Sequence, residues 1–287
     1  MSAIAYITDS KMLELHRLNN HKTINFWRPS AKINFSDFGV GDLVFFLSKD
    51  KNQKKSNEKG IVGFGRVKEI KSSSIKNMWD KHGKKNGYRT YDDFKEAIRK
   101  VSKDRLLPRK ISAFLLDDVI FFQPIYLSES GYAISNKVES YIYLRDDELI
   151  FNIFDTAKSS GDLWSNYEEL NDIITKQQTI YALNATHKII NDIEINDKQK
   201  KKARKTLSEY LVKGYEFVKD SDNEIYCLNN NRLEIMYYVD KDTDDKKLLG
   251  QSQLYRYYIK DKFKMDCDII FSLSDNNREI INIINNI

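Results

Sequence analysis

The sequence predicts an α+β fold in three parts: an N-terminal β-barrel with a helical insertion (residues 1–150), a helical connector (151–195) and a small C-terminal α/β domain (196–287). Three observations predict it. Short runs rich in Ile, Val, Phe and Tyr recur at residues 3–8, 42–48, 60–70, 118–127 and 139–144, separated by polar or glycine-bearing loops, as barrel strands are. Residues 75–105 and 151–190 read as helical instead, and from residue 197 the order is helix, hairpin, helix, strand. A chain of 287 residues is long enough to bury two cores.

Each element has a local reason. Asn25-Phe26-Trp27-Arg28-Pro29 is an aromatic segment, and Gly41-Asp42 turns the chain into the apolar strand Leu43-Val44-Phe45-Phe46. A Lys-rich hairpin tip separates that strand from Gly60-Ile61-Val62-Gly63-Phe64-Gly65-Arg66, where Gly63 and Gly65 let another group approach the backbone closely. In the insertion, Thr90 suits an N-cap, Asp92 and Asp93 favour the first turn, and Phe94, Ile98 and Val101 recur at helical spacing. Asn196 and Gln199 form a capping-box pattern before a helix over 197–213, whose Ala203, Leu207, Tyr210 and Leu211 share a face. Residues 224–228 and 232–239 predict a hairpin across Asn229-Asn230-Asn231. A helix near 246–262 then carries Gln253 and Tyr257 at i and i+4, before a buried strand at 267–273.

Composition excludes several classes. No apolar run approaches the roughly 20 residues of a membrane span, and the first residues read as a strand and not as a signal peptide, so a cytoplasmic location is expected. Cys227 and Cys267 sit in apolar strand-like runs, as buried reduced thiols do. The histidines have no zinc spacing, and no phosphate-binding loop, dinucleotide fingerprint or nucleophile signature is present. Charge is more informative by position than in total. Residues 66–110 hold 15 Lys or Arg against 6 Asp or Glu, an excess of +9 that leaves −4 for the rest of a chain whose net charge is +5. Those cations are interleaved with Trp79, Tyr88 and Tyr91, which suits a nucleic acid: phosphates attract Lys and Arg, and unstacked bases attract aromatic planes.

Residues 1 to about 145 resemble the PUA-like superfamily, especially its EVE-type members, through Asn25-Phe26-Trp27, Gly41-Asp42-Leu43-Val44-Phe45-Phe46 and Ile61-Val62-Gly63-Phe64-Gly65. The resemblance implies a PUA/EVE-like barrel that binds nucleic acid by accommodating a modified base, commonly a modified cytosine in the sensor domains of modification-dependent restriction enzymes. Reading such a base in duplex DNA requires base flipping, which costs a few kcal/mol. Trp27 and Phe64 are candidate stacking walls, while Asn25 or Asp42 could hydrogen-bond the base edge. Arg28, Arg66, Lys84, Lys85 and Arg89 complete the candidate nucleic-acid contacts. Asp42, following Gly41, also suits a turn-stabilising role, and an aromatic in a barrel also suits its core.

Residues 197–275 resemble the PD-(D/E)xK nuclease superfamily, which implies a nuclease-like domain using Mg²⁺ to hydrolyse phosphodiesters. On that resemblance Asp220, Asp222 or Glu224 supplies the first acid and Glu234 the second, with Asp222 and Glu234 as metal ligands and Gln253 and Tyr257 as the helix motif. The expected lysine position is Met236. Two explanations stand open: a cation supplied by Lys219 or Lys241, or a degenerate nuclease fold kept for binding or dimerisation. The leading expectation is a modification-dependent DNA restriction protein, homodimeric if it cuts both strands. The alternative is a non-catalytic reader of modified DNA or RNA that recruits a partner.

Overall fold

The computed structural model describes residues 3–31, 35–48, 58–135, 137–160, 167–190, 195–275 and 279–286. The predicted Lys-rich hairpin tip lies outside the described residues, as do parts of the predicted connector. The fold is α+β, in two compact units, residues 2–174 and 175–287.

In the first unit, β1 (Ala3–Ile7), β2 (Ile24–Arg28), β3 (Leu43–Ser48), β4 (Gly60–Ser73), β5 (Ile111–Ile125) and β6 (Tyr141–Leu144) form one sheet in the order β2-β5-β4-β3-β1-β6. The expected closed barrel is not formed among the described residues: β2 and β6 end the sheet without pairing to each other. The sheet instead curls. Three register shifts interrupt the β4–β5 ladder, and such irregularities bend and twist the strands that carry them. The curl brings β2 against β1, with the Phe26 and Tyr6 ring centroids 5.2 Å apart. Gly63 permits it, since a Cβ there would lie 2.4 Å from the Ile120 carbonyl oxygen. The close approach foreseen at this glycine is thus made by the neighbouring strand.

Both faces of the sheet are covered. Phe64 pairs with Phe45 across β3–β4 and meets Phe154 of α4 (Asp147–Ser160) at a centroid distance of 5.3 Å. The alternating residues Phe26, Phe46 and Phe114 stack on the other side, within the curl. α1 (Ser10–Leu18) follows β1, and the insertion supplies α2 (Ile75–His82), a short 3₁₀ turn (Gly83–Asn86) and α3 (Tyr91–Val101), whose Phe94 and Ile98 are buried. Thr90 caps α3 as expected, accepting from the Asp93 amide at 3.1 Å. α5 (Tyr167–Ile190) spans the division between the units, and its residues 177–187 are buried on every side.

The second unit is a four-stranded sheet in the order β10-β9-β8-β7, from β7 (Glu216–Phe217), β8 (Glu224–Asn229), β9 (Arg232–Tyr237) and β10 (Asp268–Leu273). α6 (Asp197–Leu211) begins with the Asn196/Gln199 capping box, and packs Ala203 and Leu207 against Ile225, Met236 and Tyr238. α7 (Asp245–Arg256) runs into a π-helical turn (Tyr257–Lys262), and α8 (Ile280–Asn286) closes the chain's described part. No helix among the described residues is long and apolar enough to cross a membrane.

Candidate functional site

In the N-terminal unit, most of the predicted base-contact residues serve as scaffold. Phe64 is fully buried among Phe45, Phe122 and Phe154. Asp42 is buried too, accepting from the Gly39 amide at 2.8 Å in the turn before β3, so its turn-stabilising role is the one the geometry displays. Asn25 and Trp27 point together toward the insertion, where Asn25 Nδ2 donates to Asn86 Oδ1 (2.8 Å) and Trp27 Nε1 donates to the Asn86 carbonyl (3.1 Å). Trp27 also packs edge-on against Phe94, with centroids 5.5 Å apart.

Asn86, missed in the sequence, is therefore the residue around which the insertion is built. Its own Nδ2 donates to the carbonyls of Gly83 (2.8 Å) and Met78 (3.3 Å), so the buried amide uses donors and acceptor together. Gly87 follows in the left-handed region, at φ +89°, with its Cα so close to α1 that a Cβ would lie 2.2 Å from Met12 Cγ. Only glycine fits there. Tyr88 completes the clamp, its hydroxyl donating to Asp9 Oδ2 at 3.2 Å. These contacts hold Lys84, Lys85 and Arg89 out into solvent.

The field of these cations reaches two histidines. Burial lowers the His82 pKa first, and Lys81 and Lys85 lower it further; burial lowers that of His21, followed by Lys85 and Lys84. His21 Nδ1 lies 2.9 Å from Nδ1 of the fully buried His16, whose pKa is pushed down to about 3, by burial first and His21 second. A shared N–H···N bond requires one of the two rings to be neutral at that nitrogen. The folded chain thus resists a proton that an unfolded His accepts near pH 6.5. The contribution of His16 to stability is present above pH 6.5 and is lost as pH falls toward 3, by up to about 1.4 kcal/mol per pH unit. Urea unfolding of the full chain should therefore lose about 2 kcal/mol between pH 6.5 and 5, and His16→Gln should flatten that slope; an equal slope in both proteins would reject the linkage.

Arg28 and Arg66 are both half-buried. The Arg28 guanidinium sits 4.6 Å from the Phe35 ring centroid, its Nε donates to the Tyr6 hydroxyl at 3.1 Å, and its Nη1 is buried without a hydrogen-bond partner among the described residues. Tyr141 stacks on Tyr6 with centroids 5.7 Å apart, giving the cation an aromatic surround.

In the C-terminal unit, the predicted acids are separated. Cross-strand pairing places Glu224 opposite Tyr237 and Glu234 opposite Cys227, and strand alternation puts the two glutamates on opposite faces of the sheet. Asp222 is ion-paired with Arg204, and Glu234 is hydrogen-bonded by Tyr215. Neither face of β9 presents an acid-x-Lys: Glu234 is followed on its face by Met236, buried under α6, and the Glu224 side shows Ile235 and Tyr237. Among the described residues, no group of three or more His, Cys, Asp or Glu is arranged to hold a metal ion. The residues present do not fit a Mg²⁺ centre built on Asp222 and Glu234, because the fold gives each a different neighbour.

A different cluster forms on the Glu224 face. Gln253 and Tyr257 are exposed, Tyr257 at 57%, whereas Gln251 and Tyr255, two residues earlier in α7, are buried. Glu224, with no exposed surface, accepts from Gln251 Nε2 and from the Tyr255 hydroxyl (2.6 Å). His187 Nδ1 of α5 lies 3.1 Å from Glu224 Oε2 and 2.8 Å from the Tyr255 oxygen. Since the Tyr255 proton goes to the carboxylate, Nδ1 carries the ring proton and donates. The turn before β8 aims the acid, with Ser221 Oγ accepting from the Glu224 amide at 3.2 Å. Three donors satisfy one buried carboxylate and tie α5, β8 and α7 together.

No family model matches the chain, and no curated protein matches it. Among solved structures it is similar to the ASCH protein of Zymomonas mobilis, at 12% identity and TM-score 0.38 over 56% of this chain and 96% of that one. Two single-substitution variants of the same protein give 12% and TM-score 0.37 over 53% and 96%, and 13% and TM-score 0.39 over 54% and 95%. Likeness at this level identifies neither a ligand nor an activity.

Proposed function

We propose that the chain is a nucleic-acid-binding protein that acts without cutting, and that its insertion grips the phosphate backbone. The observation that carries this reading is the set of exposed cations Lys76, Lys81, Lys84, Lys85 and Arg89, on an element clamped to α1 and β2 through Asn86, Gly87 and Tyr88. A fixed array of cations loses little side-chain and loop entropy on binding, and phosphates supply most of the affinity in such complexes. The separation of Glu224 from Glu234 supports binding over cleavage. Recognition of a modified base is the finer part of the proposal, and Arg28 favours it: among the predicted nucleic-acid contacts, it has a donor with no hydrogen-bond partner among the described residues, next to aromatic rings.

Fluorescence anisotropy of the full chain against duplex DNA, single-stranded DNA and single-stranded RNA, across a salt series, tests the reading. Affinity should fall linearly with the logarithm of salt, and Lys84→Gln/Lys85→Gln/Arg89→Gln should reduce the slope by about 2–3. A slope unchanged by those three substitutions would reject the insertion as the contact surface. Duplexes with and without a methylated cytosine, run in the same titration, report on the base. Mg²⁺-dependent cleavage that disappears in Glu234→Ala would overturn the non-catalytic reading and restore the nuclease.

A further inference from the structure

Helix α6 carries a stripe of lysines that its packing does not use. Lys198, Lys200, Lys201, Lys202, Arg204 and Lys205 fall within eight residues that contain no acid, and all six are exposed. At 3.6 residues per turn, Lys198, Lys201, Lys202 and Lys205 share one face. The buried residues Ala203 and Leu207 lie on the opposite face. Arg204 is paired with Asp222 and Lys202 lies in the field of Asp240, whereas Lys198, Lys201 and Lys205 extend into solvent.

This arrangement works against the helix that bears it. Lys198 stands in the first turn, the positive end of the macrodipole, where a cation is unfavourable. Its like-charged neighbours at i,i+3 and i,i+4 repel, at about 0.2–0.5 kcal/mol per pair. The capping box and Leu207 hold the helix without the lysines. Asp197 and Glu209, at i,i+4 from Lys201 and Lys205, and Asp240, which feels the charge of Lys202, offset part of this repulsion, and an external polyanion would relieve the rest.

We propose that this face of α6 is a second nucleic-acid-binding surface, one that follows a phosphodiester backbone. From Lys198 to Lys205 the helix rises about 10 Å, the length of duplex axis over which one DNA strand carries roughly three phosphates. An anionic membrane is less well suited, because the apolar face of α6 is turned into the core and leaves nothing to insert between acyl chains. The surface belongs to the 175–287 unit and the insertion to the other, so each can be removed without the other.

The experiment uses the full chain with Lys198, Lys201, Lys202 and Lys205 all replaced by Gln, titrated with a fluorescent DNA duplex over a salt series. The salt slope should fall by about 3 and low-salt affinity by about tenfold or more, while the melting temperature holds or rises as repulsion is removed. The corresponding four-fold Lys→Arg variant should retain binding. An unchanged slope in the folded Gln variant overturns the proposal, as does DNA binding intact with lost binding to phosphatidylserine vesicles. The insertion variant run in parallel separates the two readings: if only that variant loses affinity, α6 is excluded and the insertion stands; if only the α6 variant does, the insertion is excluded.

Discussion

Replacing Glu224 with alanine is expected to destabilise the C-terminal unit by about 3 kcal/mol or more, the cost of leaving several buried donors without their acceptor. The Gln251 amide, the Tyr255 hydroxyl and the His187 ring would each lose the acceptor they now share, and only Tyr255 and His187, 2.8 Å apart, would still have each other, in a cluster whose members are all buried. Because α5, β8 and α7 meet at this carboxylate, hydrogen exchange should accelerate together in peptides from all three. Glu224→Gln keeps one acceptor oxygen and should cost markedly less. A loss below about 1 kcal/mol in the alanine variant would mean that packing, and not the cluster, holds these elements.

Asn86→Ala should cost the N-terminal unit about 3 kcal/mol and weaken nucleic-acid binding with it. The substitution strands Asn25 Nδ2 and the carbonyls of Gly83 and Met78, all bonded to the Asn86 side chain. Trp27 keeps its bond to the main-chain carbonyl, so the insertion should loosen and not detach. Denaturant unfolding reads the stability, and anisotropy with duplex DNA reads the binding. Full affinity in a clearly destabilised Asn86→Ala protein would show that Lys84 and Lys85 need no fixed geometry.

Much of the architecture was legible wherever local chemistry sufficed. Thr90 and the Asn196/Gln199 pair mark helix starts because a cap is satisfied within four residues. The hairpin over β8 and β9 is likewise local, and its alternation is regular. The first sheet was harder. Phe45 and Phe46 are both buried, one on each face, so no alternation tells which aromatic faces α4 and which faces the interior of the curl. Strand count does not reveal whether the end strands pair, so the expected closure has no counterpart in the open strand order.

The helix motif shows a different ambiguity. Gln251-Ser252-Gln253-Leu254-Tyr255-Arg256-Tyr257 contains two overlapping Gln-x-x-x-Tyr frames, and the predicted pair Gln253/Tyr257 is the later of them. Leu248 and Ile259 lie on the buried side with Gln251 and Tyr255, at a spacing that could have selected the earlier frame. His187 had no such signal: its partners are 37 and 68 positions away in sequence. Glu224 stayed among the candidate acids throughout, yet its buried company marks it as an anchor of the fold.

Lys84-Lys85-Asn86-Gly87 places two solvent-facing residues directly before two that cannot be changed without disturbing α1 and β2. The charges of the proposed contact surface and the residues that anchor it are thereby adjacent but distinct. The charge at the tip can be raised, lowered or reversed in single steps, each shifting partner preference and salt tolerance, while the platform beneath stays the same. On the proposed reading, such a surface is adjustable by nature and can be retuned without being rebuilt.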